Sequence, residues 1–219
     1  MKTDLEARSP AGSLYRLGRH PDPWQFAPWE LAGPDGTFSN RFDDPEGYYR
    51  VLYAASQRLA CFMETLARYR PDLELIAELD EIEGPNDFLP LGTVPRDWLE
   101  KRLMGSAAVE GQFADIYAAG WVSYLRTRLA GQALKLGMAD IDLASLQTPE
   151  PRRLTQLASR EAYFMNVTGI FYRSRYGHSL ENWALFEPAT LLDEDARDIS
   201  EDDPDLLEAM RLHGVELEA

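Results

Sequence analysis

Residues 38–69, FSNRFDDPEGYYRVLYAASQRLACFMETLARY, change texture half-way, and that change sets the fold class. RVLYAA, residues 50–55, is a short β-branched and aromatic run that reads as a strand. SQRLACFMETLARYRP follows at once, with apolar residues at 59, 62, 63 and 66 on one helical face. Ser56 is a fair N-cap and Pro71 a stop, which predicts a strand and then a helix that carries Glu64. Before them, HPDPWQFAPWELAGPDGTFSNRFDDPEGY, residues 20–48, has too many prolines and glycines for a long helix or a central strand. Its Trp24, Phe26 and Trp29 predict a long loop packed onto the body as a lid or Ω-loop.

Further along, LELIAEL (73–79) and FLPLGTV (88–94) read as two strands joined by an EGPND turn, while WLEKRLM (98–104) fits strand or helix. Residues 115–136 carry Ile116, Ala119, Val122, Leu125, Leu129 and Ala133 at helical spacing and predict the longest helix, despite Gly120 and Gly131. RRLTQLASREAYFM, from residue 152, repeats that spacing; GIFYRS and NWALFE read as strands flanking an SRYGHSLE loop. Strands and helices mix without a regular βαβ beat, so the expected class is α+β.

A chain of 219 residues with 45% hydrophobic and 27% charged residues suits one domain with its own core, needing neither disulfides nor a structural metal. The single cysteine, Cys61, excludes an internal disulfide framework. MKTDLEARSPAGSLYRLG has no apolar segment of signal-peptide length, and no run of 18 apolar residues occurs, so the cytoplasm is the expected location. A net charge of −15 argues against nucleic acid as a general partner. The charge is uneven: DEDARDISEDDPDLLE, residues 193–208, sets a crowd of Asp and Glu against Arg197 alone, which predicts a solvated arm or an exposed last helix.

Neither GxGxxG nor GxxxxGK[ST] is present, so a nucleotide site here is not of the Rossmann or P-loop kind. His20, His178 and His213 are isolated, without HExxH or a cysteine cluster, and no metal is expected. No GxSxG elbow marks a hydrolase triad.

Several short motifs together resemble the RES domain, a family named for its Arg, Glu and Ser and known mostly from bacterial toxins. Arg41 in RFD, Tyr53 in VLYAAS and Glu64 in the following helix match its first constellation. GIFYRSRYG resembles the segment that supplies the serine, here Ser174; ENWALFE resembles the closing strand, with Asn182. LYRLG resembles the opening strand and adds Arg16. The resemblance covers residues 13–187, leaving residues 1–12 as an extension and 188–219 as an acidic C-terminal tail or helix.

The resemblance implies an ADP-ribosyltransferase-like fold, with two small β-sheets packed together, helices outside and NAD in the cleft between them. It implies an NAD-consuming enzyme, glycohydrolase or phosphorylase, acting as the toxin of a toxin–antitoxin pair. Implied partners are a helix-turn-helix antitoxin over the active site and a second copy of the chain, since family members pair as homodimers. ADP-ribosyl transfer to a protein, or a non-catalytic partner-binding domain, are the alternative readings.

The chemistry assigns each residue a part. Expulsion of nicotinamide leaves an oxocarbenium-like ribose, which a nearby carboxylate stabilises, and Glu64 is the candidate. Arg41 and Arg16 supply guanidinium forks for two phosphates. On local sequence alone Arg41 reads as a surface arginine paired with Asp43 or Asp44, Tyr53 as a core residue and Glu64 as an exposed helix residue, and the motifs reverse that reading. Tyr53 stacks on nicotinamide in the functional reading. Ser174 either bonds the ligand or holds Glu64, and Asn182 is a further binding candidate. Arg173 and Arg175 flank Ser174 and in an alternating strand point away from it, so neither receives a catalytic part. Trp183 and Phe186 read as structural.

Overall fold

The computed structural model describes residues 5–80, 91–148 and 150–218. The N-terminal residues form strands β1 (Ala7–Arg8) and β2 (Leu14–Arg19). The proline-rich segment after them stays irregular apart from a short 3-10 turn at Trp29–Leu31. It packs down through buried Trp24 and Phe42, while Trp29 stays 38% exposed.

Strand β3 (Val51–Ala55) leads into helix α1 (Arg58–Leu66), as the texture change requires. Ser56 is not its N-cap. Gln57 takes that position without a side-chain bond, because the Ser56 hydroxyl is already engaged: it accepts from Trp183 Nε1 at 2.8 Å and donates to Glu181 at 3.2 Å.

The segment read as a strand at 73–79 is instead helix α2 (Leu73–Asp80). Asp72 starts it, its side chain accepting from the Glu74 amide at 2.8 Å and its carbonyl from the Ile76 amide at 3.1 Å. A short apolar run looks alike in either state, and this cap decides it. The EGPND turn and residues 88–90 lie outside the described residues; Gly92–Val94 is strand β4. WLEKRLM divides between helix α3 (Asp97–Glu100) and strand β5 (Arg102–Val109).

The long helix read at 115–136 is broken. Its first residue closes strand β6 (Phe113–Asp115), and the remainder forms α4 (Ala119–Arg128) and α5 (Ala130–Lys135), separated at Leu129. After α6 (Leu143–Gln147), the 12-residue α7 (Arg152–Tyr163) exceeds both. Strands β7 (Gly169–Ser174) and β8 (Gly177–Phe186) form a hairpin, so the SRYGHSLE loop shrinks to a turn at Arg175 and Tyr176. Strand β9 (Leu191–Asp198), helix α8 (Pro204–His213) and strand β10 (Val215–Leu217) complete the described residues.

The α+β class holds, but the described residues show one eight-stranded sheet, in the order β1-β6-β7-β8-β3-β2-β5-β9, and a parallel pair of β10 with β4, rather than two small packed sheets. The large sheet is nonetheless nearly divided. Strands β2 and β5 pair from Leu14 to Arg19 and β3 and β8 from Val51 to Ala55, whereas β2 meets β3 at the single pair Tyr15–Ala55. The chain at Pro23 and Trp24 lies across β2 and β5, over Gly18 and Gly105. A β-carbon on Gly18 would stand 2.3 Å from Pro23 Cα, and one on Gly105 2.7 Å from Trp24 Nε1. Only glycine allows that approach.

Strand β7 and the second half of β8, from Asn182, are buried on both faces, which explains their continuous apolar runs. Ile170, Tyr172, Ala184 and Phe186 face Phe42, Trp121, Leu125, Leu154 and Ala158 on one side; Phe171, Trp183 and Leu185 pack with Leu52 and Phe113 on the other. A separate cluster joins α1 to α8 through Phe62, Leu66, Leu206, Ala209 and Met210. The acidic C-terminal region is thus part of the body. β9 is an exposed edge strand on β5, while α8 docks on α1, with Arg58 paired to Asp203 and Asp205 and His213 Nε2 donating to the Met63 carbonyl at 2.8 Å.

Leu206, fully buried between these helices, tests that docking. Leu206→Ala should cost about 2–5 kcal/mol in urea denaturation; an unchanged midpoint would mean a detached tail. His213 adds a pH signature. Burial lowers its pKa from 6.5, so the unfolded chain binds the extra proton first and stability falls as pH drops below about 6.5. Urea titrations across that range should show a weaker fall for His213→Gln.

Candidate active site

A cavity of about 380 Å³ opens where β2 and β3 part, with α1 along one side and the Arg41 loop along another. Glu64 projects into it from α1 while its neighbours Met63 and Leu66 are buried behind. Asn182 Nδ2 donates to Glu64 Oε1 at 2.8 Å. Asn182 is 2% exposed and lies on β8 opposite Ala55 on one flank and Tyr172 on the other, so the sheet itself fixes the amide that orients the carboxylate. Among the described residues this amide is the hydrogen-bond donor to Glu64, and it takes one oxygen and leaves the second open.

Tyr53 lines the cavity but turns its hydroxyl to the RFD loop, donating to Asp43 Oδ1 at 3.0 Å and accepting from the Phe42 amide at 2.9 Å. Burial, and then the charge of Asp43, hold this phenol well above its ordinary pKa. Burial likewise raises the Asp43 carboxyl, against the bonds it receives from the Asn40 amide and Tyr53. The expected alternative, Arg41 paired with Asp43 or Asp44, does not occur: Asp43 serves Tyr53, and Asp44 takes Arg160 at 3.2 Å. Arg41 instead donates from Nη2 to the Leu146 carbonyl at 2.5 Å and lies over the rings of Phe42 and Tyr172, at 5.3 and 5.9 Å. Among the described residues its buried Nε has no partner.

Arg16 faces the cavity too, yet it is partly committed. Nε donates to the Pro23 carbonyl and Nη1 to the Tyr53 carbonyl, both at 2.7 Å, and burial lowers its pKa. Ser174 lies off the cavity wall; its buried hydroxyl accepts from the Tyr176 amide at 3.0 Å and fixes the β7–β8 turn. The structure therefore brings Arg16, Arg41, Tyr53, Glu64 and Asn182 around one cavity and leaves Ser174 out of its lining.

Three side chains in that lining escape the sequence reading. Arg175 reaches the cavity because it stands in the turn after β7 ends at Ser174, where the strand alternation that would turn it away no longer applies. Tyr172, opposite Asn182, looks like core in an apolar strand and is 8% exposed. Arg152, at the start of α7, comes from more than a hundred residues beyond Arg41, and no local pattern signals it. Cys61 also lines the cavity, but burial pushes its thiol up to about 12, so it stays protonated. Four arginines, Arg16, Arg41, Arg152 and Arg175, thus face one carboxylate within a chain of net charge −15. Such a lining suits a ligand that is anionic at one end and develops positive charge near Glu64.

The model of the RES domain family matches residues 13–205. The chain belongs to the RES domain family. The match takes in β9 and the start of α8 as well as the motifs from Arg16 to Asn182, so the RES domain runs beyond residue 187. Among solved structures, a chain of the M. tuberculosis MbcT–MbcA toxin–antitoxin complex superposes with a TM-score of 0.48 at 13% identity, covering 94% of this RES domain protein and 91% of that chain. No curated protein matches. Among the described residues, no group of three or more His, Cys, Asp or Glu is placed to hold a metal ion, and no helix is long and apolar enough to cross a membrane.

The Tyr53 hydroxyl is the pin of the Arg41 loop. Tyr53→Phe removes two bonds and strands the Phe42 amide, which should lower stability by about 1–3 kcal/mol in urea denaturation. Unchanged stability would show that the loop is held without it.

Proposed function

We propose that this RES domain cleaves the nicotinamide–ribose bond of NAD, transferring the ADP-ribosyl group to water or phosphate. The observation that carries the reading is the Glu64 carboxylate, oriented by Asn182 in a cavity whose other charged groups are arginines. As the glycosidic bond breaks, its electron pair leaves with nicotinamide and positive charge grows on the ribose carbon. Glu64 faces that charge, and its second oxygen is free to orient the incoming water or phosphate. Guanidinium groups hold the pyrophosphate in the same cavity, so the reacting bond and the carboxylate are brought together before chemistry begins. Ser174 acts in this scheme through the turn it fixes rather than as a contact to the bond.

By the same reading the protein is a cytoplasmic toxin whose activity a helix-turn-helix antitoxin blocks by covering the cleft. The family membership supports this, since depletion of NAD arrests growth in any host.

Chromatography of free nicotinamide after incubation with NAD, with and without phosphate, tests the proposal. Release should fall about 100-fold or more in Glu64→Gln, in line with the loss of an electrostatic contact to the transition state. The phosphate dependence identifies the acceptor. Equal release by wild type and Glu64→Gln would remove the mechanism, and a labelled protein with little free ADP-ribose would convert it to transferase chemistry.

A further inference from the structure

The four cavity arginines are not equivalent. Arg16 spends two donors on backbone carbonyls, Arg41 one, and Arg152 donates to the Ser39 carbonyl at 2.9 Å with Glu150 at 3.5 Å. Arg175 is exposed, and among the described residues no carboxylate pairs with it. Its neighbour Arg173 turns elsewhere, donating to the His178 carbonyl at 2.8 Å and lying 4.0 Å from Glu181. The end of β7 thus separates the two: Arg173, on the strand, lies beside an acidic neighbour, and Arg175, in the turn, lines the cavity.

The position of Arg175 is nonetheless held. Nη2 donates to the Tyr176 hydroxyl at 2.6 Å, and the guanidinium lies 4.9 Å from that ring's centre. Tyr176 rests edge-to-face on His213 of α8, with ring centres 5.2 Å apart, and its amide is fixed by Ser174. His213 in turn is anchored to the Met63 carbonyl, one residue from Glu64. A cation without a counter-ion, braced at the mouth of a cavity in a strongly acidic protein, is arranged to meet an anion from outside.

We propose that Arg175 is the principal phosphate-binding arm of the cleft, set by the Ser174–Tyr176 turn and braced by the C-terminal helix, while Arg16 serves chiefly as a strut. This deepens the NAD reading and rests on it only for the identity of the anion, a pyrophosphate ester.

Calorimetry with ADP-ribose and with inorganic pyrophosphate, on wild type, Arg175→Ala and Arg175→Lys, tests the proposal. Arg175→Ala should weaken both ligands about 10- to 100-fold, the loss of a charge-assisted fork, with thermal unfolding unchanged and partial recovery in Arg175→Lys. Equal affinity of wild type and Arg175→Ala for ADP-ribose would overturn the arm and leave the NAD reading standing. Arg175-dependent binding of pyrophosphate without binding of ADP-ribose would keep the arm and overturn the NAD reading. Wild type that binds neither ligand would overturn both.

Discussion

A single backbone pair, Tyr15 with Ala55, carries the large sheet across its middle, and the Arg16 guanidinium completes the junction by donating to the Tyr53 carbonyl that β2 leaves open. Burying a guanidinium is costly unless its donors are met, and here the Pro23 and Tyr53 carbonyls meet two of them. The cavity lies at this join. Residues of both strands, Arg16 of β2 and Tyr53 of β3, line the space that Glu64, Arg41 and Asn182 also line, and the glycines at 18 and 105 admit the Pro23–Trp24 segment whose carbonyl holds Arg16.

Around that opening, each functional group is fixed by a different part of the fold. Asn182 is placed by strand register and holds Glu64; Tyr53 and Asp43 hold the loop that carries Arg41. Helix α8 grips α1 near both ends, through Arg58 at the start and the Met63 carbonyl near the end. The carboxylate therefore stands on a helix clamped from behind and bonded from in front, the preorganisation that electrostatic catalysis requires.

The strand–helix step at residues 50–66 was legible because hydrophobic period changes sharply there, and so were α7 and β7; Arg41, Tyr53 and Glu64, singled out by motif, line one cavity. Errors came where local pattern is ambiguous or overridden. Asp72 capping turned 73–80 into a helix, and pairing with Phe171 of β7 withdrew Asp115 from the long helix. The acidic C-terminal stretch read as solvated because its charges outnumber its apolar residues. Yet the few it has, Leu206, Ala209 and Met210, share one face of α8 and are buried. Arg175 was set aside for a sharper reason: the reading carried the strand through it, whereas β7 ends at Ser174 and Arg175 stands in the turn, where alternation no longer decides direction.

The central claim is that the opening at the sheet junction is an NAD site with its reactive bond at Glu64. A crystal structure of Glu64→Gln with NAD tests it most directly, since the substitution preserves shape while suppressing turnover. The account predicts the nicotinamide ribose against residue 64 and the pyrophosphate against Arg41 and Arg175. NAD bound outside this cavity, or bound within it with nicotinamide directed away from residue 64, would contradict it.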